Sequence, residues 1–296
     1  MAAGRVTESS IHTAVLSNLQ RSIQKGQKIQ EQLSSGKQIN RPSDSPTGTV
    51  TSMQLRGDVR VAQQYTRNAD DGMGWLSTLD STLSSTSTLV NRVRDLTVQG
   101  LSGGSNDAQS NSALAAEVDQ IKASLIGYAN TQYLGRPVFG GTTTGAVAYD
   151  ATGAYAGDAG QTTRTVGQNS KVRVDATGPE AFGTGATQLF TVLQGISDSI
   201  RSGDSTTLET NLANLDTASN LMKNTLSDVG ARYNRIEQMK LSAQDRLLSV
   251  TSQLSDVEDV DLPKTIMEMQ LQQTAYQAAL AASAKVIQPS LIDFLR

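Results

Sequence analysis

The stretch from Leu208 to Val257, LETNLANLDTASNLMKNTLSDVGARYNRIEQMKLSAQDRLLSVTSQLSDV, carries the strongest helical pattern in the sequence. Stepping by three and four from Leu208 gives Leu212, Leu215, Ser219, Met222, Leu226, Val229, Tyr233, Ile236, Lys240, Ala243, Leu247, Val250, Leu254 and Val257. Twelve of these fifteen positions carry a large apolar side chain. No proline interrupts the run, and its one glycine, Gly230, falls off the stripe. A stripe sustained this long predicts a helix packed along its whole length. At about 1.5 Å per residue it would measure roughly 75 Å. A compact globule of 296 residues would be only about 50 Å across, from a radius of gyration near ~19 Å. The sequence therefore predicts an elongated, mainly α-helical rod. Its bundle core would be Leu208, Leu212, Leu215, Met222, Leu226, Val229, Ile236, Leu247, Val250 and Leu254.

The same count locates partners for this helix. Leu76, Leu79, Leu83, Thr86, Val90, Val93 and Thr97 keep helical spacing, as do Leu114, Val118, Ile121, Leu125 and Tyr128 after a polar loop from Ser102 to Asn111. Asn111 or Ser112 is placed to cap the second of these helices. Two antiparallel helices against a third longer one make a bundle over residues 46–134 and 196–261. Between 135 and 195 the texture changes. Eleven glycines fall within residues 135–190, with spaced aromatics at Phe139, Tyr149, Tyr155, Phe182 and Phe190. Alternation in Lys171–Asp175 (KVRVD) predicts a strand in a small β-rich insert. A disordered linker is the competing reading, opposed by aromatics able to seed a small core.

Both ends are amphipathic. Ile11, Val15, Leu16, Leu19, Ile23, Ile29 and Leu33 recur at helical spacing near the start. Leu262, Ile266, Met269, Tyr276, Leu280 and Ile287 do so near the end, with Pro263 at a helix start and Pro289 ending or kinking the helix. A lone amphipathic helix is marginal in water, so the stripes of residues 1–45 and 262–296 need each other or another molecule. Periodicity alone allows two arrangements. The ends pair as a coiled coil that inserts between subunits, or they fold back as two more helices of a monomeric bundle. Residues 1–67 hold nine Lys or Arg against four Asp or Glu, and residues 255–296 hold three against six. That asymmetry weakly favours pairing of the ends.

Composition removes most chemistry. Zero cysteines exclude disulfides, thiol catalysis and cysteine zinc sites. One histidine, His12, cannot build a triad or a transition-metal site and reads as a surface or interface residue. A net charge of −3 lacks the basic footprint of nucleic-acid binding, and no apolar run reaches the ~18 residues of a membrane span. The opening MAAGRVTESS lacks the charged-then-apolar pattern of a secretory signal, so no cleavable one is expected. The acidic group Asp256, Glu258, Asp259 and Asp261 lacks the spacing and central glycine of an EF-hand and reads as a solvated turn between helices. No cofactor, metal or catalytic residue is expected. In Asn40-Arg41-Pro42-Ser43-Asp44-Ser45-Pro46, two prolines end the first helix, and Ser and Asp stand ready to cap the next. This segment is a simple loop, or a hinge at Pro42 and Pro46 between the terminal pair and the bundle.

Several of these segments resemble the bacterial flagellin superfamily and, within it, the family of hook–filament junction proteins, the third hook-associated proteins. Leu33–Pro46 (LSSGKQINRPSDSP) resembles the signature after the family's first helix. Arg67–Gly72 (RNADDG) with Trp75-Leu76 resembles the entry to its first bundle helix, Leu89–Gln99 (LVNRVRDLTVQ) a shared bundle segment, and Ser255–Leu262 (SDVEDVDL) the acidic turn before the last helix. Leu134–Thr142 (LGRPVFGGT) and the ending Tyr276–Leu280 with Gln288–Leu295 are more similar to the junction family than to filament flagellins. The opening Arg5-Val6-Thr7 follows Met1–Gly4, and Pro137 stands where the family is often aromatic. The resemblance covers residues 5–140 and 205–296.

It implies a non-enzymatic structural adaptor of the bacterial flagellum, lying outside the cell. Terminal segments that are disordered in the free monomer would form a coiled coil on assembly. The chain would leave through the type III export channel without a cleaved signal, escorted by a chaperone on its C-terminal region. It would form a ring, commonly of eleven subunits in that family, between another hook-associated protein and the first layer of flagellin. The rivals are a filament flagellin and, from another class, a secreted enzyme or sensor on a coiled-coil stalk with its chemistry in the insert. That insert offers no histidine and few carboxylates: Asp150, Asp158, Asp175 and Glu180.

Overall fold

The computed structural model describes residues 8–102 and 107–287. In chain order the elements are α1 (Glu8–Ser35), α2 (Pro46–Ser102), α3 (Ala108–Ala129), β1 (Gln132–Tyr133), β2 (Arg136–Pro137), β3 (Thr163–Gly167), β4 (Ser170–Arg173), α4 (Gly178–Phe182), α5 (Leu189–Ser202), α6 (Ser205–Glu258) and α7 (Leu262–Ile287). Long helices with a small β insert are the architecture the heptads and the glycine-rich stretch predict. The chain divides into two compact units. One comprises residues 61–246, and the other joins residues up to 60 with those from 247 onward.

In the unit 61–246, one continuous core runs through four helices. Leu76, Leu79, Leu83, Val90 and Val93 of α2 pack with Leu114, Val118 and Leu125 of α3 and with Val192, Leu193 and Ile196 of α5. Leu208, Leu215, Met222, Val229 and Ile236 supply the α6 side of that core, while Leu212 and Leu226 are half-buried. The core extends into the insert through Phe139, Tyr149, Val166, Val172, Val174 and Phe182, so the insert is packed and not a linker. Tyr149 stands edge-on to Phe182 and Phe190 at centroid distances of 5.6 and 4.9 Å, a geometry that adds to simple area burial.

Sequence and structure differ at the boundaries of α1, α3 and α5: α1 ends at Ser35, where Gly36 turns left-handed at φ 69°, and not at the prolines. The helix carrying Phe190 begins within the stretch read as insert. It ends at Gly203, left-handed at φ 72°, and Asp204 at once accepts from the N–H groups of Thr206 (3.1 Å) and Thr207 (3.2 Å) to start α6. This tight turn separates α5 from α6, and α5 is too short to show a heptad. α3 begins at Ala108 with Asp107 as its N-cap residue, ahead of Asn111 and Ser112, which lie inside the helix. α2 begins at Pro46, a full thirty residues before the stripe that starts at Leu76. Proline suits that first position, and Ser45 Oγ caps it by accepting from the Gly48 N–H at 3.1 Å.

The insert's β structure is two hairpins. β1 and β2 pair Gln132 with Pro137 and Tyr133 with Arg136 around Leu134 (φ 49°) and Gly135 (φ 77°). Two left-handed residues match the twist of a two-residue hairpin. Pro137, opposite Gln132, needs no N–H there: the ladder resumes one residue on, where the Val138 N–H donates to Thr131 O at 3.0 Å. β3 and β4 pair Thr163 with Arg173 and Arg164 with Val172, with a bulge between Thr165 and Gly167. The strand expected at Lys171–Asp175 is β4, continued by the Val174 N–H donating to Thr162 O at 2.9 Å.

Candidate functional site: the terminal helix pair and its root

Within the unit formed by the two ends of the chain, α1 and α7 run antiparallel. The Gln272 amide donates to Ser22 O at 2.9 Å and to Ser22 Oγ at 2.7 Å. Gly26 faces this contact, where a Cβ would touch Gln272 Cγ at 3.9 Å. A cleft of about 440 Å³ lies along the pair, lined by Ile23, Gln27, Gln30, Met269, Gln273 and Tyr276 among others. The seam is thus rich in amides as well as apolar groups.

Of the sequence-predicted seam residues, the structure gathers Ile23, Met269 and Tyr276 around that cleft, and it covers the described ones incompletely. Val15, Leu19, Leu33, Met269 and Tyr276 are half-buried. Leu16, Ile23, Leu262, Ile266 and Leu280 remain 43–59% exposed. Ile11 and Ile287 lie outside the residues whose side chains are described, as does His12. Val50, Met53, Leu248, Met267 and Leu271 in the same unit are exposed as well. Among its described residues, the large apolar side chains that are buried are Ile29 and Val250. Leu247 and Leu254, read from the heptad as bundle core, are half-buried here, and with Val250 they belong to this unit and not to the core of 61–246.

At the root of the pair the chain crosses itself. Lys37 and Asp259 form an isolated antiparallel bridge, with the Gln38 N–H donating to Glu258 O at 2.6 Å and the Val260 N–H to Gly36 O at 3.0 Å. Glu258 is 2% exposed, so the acidic turn is not simply solvated. Its Oε1 lies 2.6 Å from Arg56 Nε, off the N–H axis, while Oε2 accepts from Arg56 Nη2 at 2.8 Å and lies 3.5 Å from Lys37 Nζ. The Arg56 guanidinium lowers the Glu258 pKa below the ordinary carboxylate range, more than burial raises it. Lys37 also binds Asp259 at 2.6 Å and holds its carboxyl low. Asp261 turns the other way and opens α7, accepting from the Lys264 N–H at 3.1 Å.

The segment Asn40–Pro46 is held by side chains. Asp44 accepts from the N–H groups of Asn40 (3.2 Å) and Arg41 (2.9 Å) and pairs with Lys28 at 3.0 Å. Lys28 is the main cause of its lowered pKa. Ser45 rather than Asp44 therefore caps α2. Pro42 and Pro46 are both exposed. The residues that sequence reasoning missed are Glu258 with its partner Arg56. Arg56 approaches from 202 positions away, and no local pattern marks such a pair.

The insert's carboxylates are all engaged in structure. Asp150 accepts from the N–H groups of Thr152 and Ala154, and Asp158 from those of Thr142 and Gly160. Asp175 and Glu180 share Arg173. Among the described residues no cluster has a metal-ligating composition, and no helix is long and apolar enough to cross a membrane.

Two family models match the chain. The bacterial flagellin N-terminal helical region covers residues 6–144 and the bacterial flagellin C-terminal helical region residues 212–295. Flagellar hook-associated protein 3 of Escherichia coli is 28% identical over 280 residues, 86% of this chain and 88% of that protein. Flagellin of Bacillus subtilis is 26% identical over 279 residues, 88% of this chain and 89% of that one. In fold, the crystal structure of Bacillus cereus FlgL matches with a TM-score of 0.60 at 20% identity, over 68% of this chain and 99% of that one. Paired amphipathic ends and a helical bundle go with these matches to a structural, non-enzymatic component of the bacterial flagellum. The chain belongs to the bacterial flagellin family.

Proposed function

We propose that this chain is the adaptor that joins hook to filament, assembling into a ring through its paired terminal segments, residues 1–45 and 262–296. The observation that carries the reading is the poor burial of the terminal unit. Ordering the 28 residues of α1 costs about 1–2 kcal/mol each. A wholly buried large apolar side chain contributes about 1.5–3 kcal/mol, and among the described residues of this unit Ile29 and Val250 alone reach that state. Sister subunits would supply the missing cover for Leu16, Ile23, Leu262, Ile266 and Leu280.

In this reading another hook-associated protein lies on one side of the ring and flagellin on the other. The ring has the family's usual eleven copies. The chain reaches the cell exterior through the type III export channel without a cleaved signal, its C-terminal region held by a chaperone until then. Pro42 and Pro46 bound a hinge between the terminal pair and the bundle, which lets the junction bridge curved hook and filament. Normal junctions and motility in a Pro42→Ala/Pro46→Ala strain would remove that role.

Filament flagellin is the second reading, favoured by 26% identity to the Bacillus subtilis filament protein over nearly the same span. Electron microscopy of the pure protein, alone and with flagellin and the adjoining hook-associated protein, separates the two. Short rings or no polymers without partners fit the adaptor. Long filaments formed unaided fit a flagellin.

A further inference from the structure

We infer that Glu258 is the pin that sets the register in which α1 and α7 pair. The seam itself discriminates poorly between registers. Its apolar residues are half-covered and recur every three or four positions, and Gln27, Gln30, Gln272 and Gln273 can exchange amide partners after a slide. The Gln272 amide crosses it with two hydrogen bonds, both to Ser22. A sliding pair of this kind needs a fixed point, and a single buried polar group is the best-attested device for one.

Glu258 has the properties of that fixed point. Among the described residues of its unit it is the one buried charged side chain. It ties three segments together: its carboxylate to Arg56 of α2, its carbonyl to the Gln38 N–H after α1, and its own helix end to the start of α7. A slip of one residue would place Val257 or Asp259 at the buried position. Val257 offers Arg56 no charge, and Asp259 is one methylene shorter and already bound to Lys37 and Ser255. A one-residue shift at the Lys37–Asp259 bridge also turns each side chain to the opposite face. The apolar seam would accept the slide, but the root would not. The inference holds for either flagellar role, because it concerns the pairing within one chain.

The absence of cysteine from the sequence permits a clean test on the full-length chain. Ser22→Cys/Gln272→Cys reports the observed register, and Ser22→Cys/Ala279→Cys reports a slide of two helical turns. In the otherwise native chain, oxidation should close the first pair at least tenfold faster than the second. Glu258→Gln should cut that ratio to threefold or less, and Arg56→Lys, which keeps a cation beside the carboxylate, should retain it. An unchanged ratio in Glu258→Gln overturns the inference. So does a loss of both cross-links, whether or not Trp75 emission shifts, because Glu258 would then support the folding of the terminal unit and not its register.

Discussion

Arg173 and Glu180 meet as a two-pronged ion pair between β4 and α4, Nη1 to Oε1 at 2.9 Å and Nη2 to Oε2 at 2.7 Å. The Thr177 N–H donates to Oε2 as well, at 2.9 Å. Chiefly through Arg173, the Glu180 carboxyl is held at about 2, below its ordinary 4.5. A depressed carboxylate contributes stability that is full above the unfolded pKa and lost as pH falls through the folded one. The window is therefore pH 4.5 down to about 2. Because the Glu180 side chain is 45% exposed, screening leaves about 1 kcal/mol. Glu180→Gln should lower the stability of the unit 61–246 by that amount at neutral pH and by nothing measurable at pH 2, in urea titrations followed by Trp75 emission.

The exposed seam gives a sharper separation of folding from assembly. Ile23 and Ile266 are 44% and 47% exposed in the single chain, so Ile23→Asp and Ile266→Asp should each change its stability by less than about 0.5 kcal/mol. Both should reduce incorporation into flagella at least tenfold, counted by sedimentation of assembled particles. Normal incorporation would mean that these side chains stay in water.

Glycines of the long helices divide by their surroundings. A Cβ at Gly230 meets nothing within 4 Å, whereas one at Gly74 falls 2.4 Å from the Tyr133 hydroxyl and 3.0 Å from its ring. Gly230→Ala should therefore raise stability by about 0.5–1 kcal/mol through helix propensity. Gly74→Ala should lower it by about 1–3 kcal/mol through overpacking. Thermal melts by far-UV circular dichroism distinguish the signs.

Trp75, the sole tryptophan, is 2% exposed against Tyr133, its ring centroid 5.5 Å away. It reports on the unit 61–246 alone. Chains lacking residues 1–40 or 262–296 should keep its emission maximum and a cooperative helical melt, yet fail to assemble. A red-shifted maximum in either shortened chain would contradict this division.

The helices were legible because burying a stripe demands a period, and Leu208 through Ile236 keep that period where they meet the core. The same stripe misassigns Leu247, Val250 and Leu254, since apolar spacing records that a face is covered and not by what. α5 escaped notice because fourteen residues are too few to repeat. Phe190 could be counted equally well with the insert's aromatics. The root was least legible. Asp256–Asp261 looked like a wet turn because solvation depends on what Arg56 and Lys37 bring from elsewhere in the chain. Only the seam residues of the candidate site were readable, and even there the Gln272 amide and the Ser22 hydroxyl that accepts from it carried no apolar signal.

The insert shares the aromatic plug of Phe139, Tyr149, Phe182 and Phe190 with the helices beneath it. It is therefore no detachable cassette. Foreign peptide spliced beside Phe139 would uncork the end of the bundle. The same peptide spliced at Thr184–Thr187, where the backbone is exposed and Gly185 has open space around it, would be displayed in water with the plug intact.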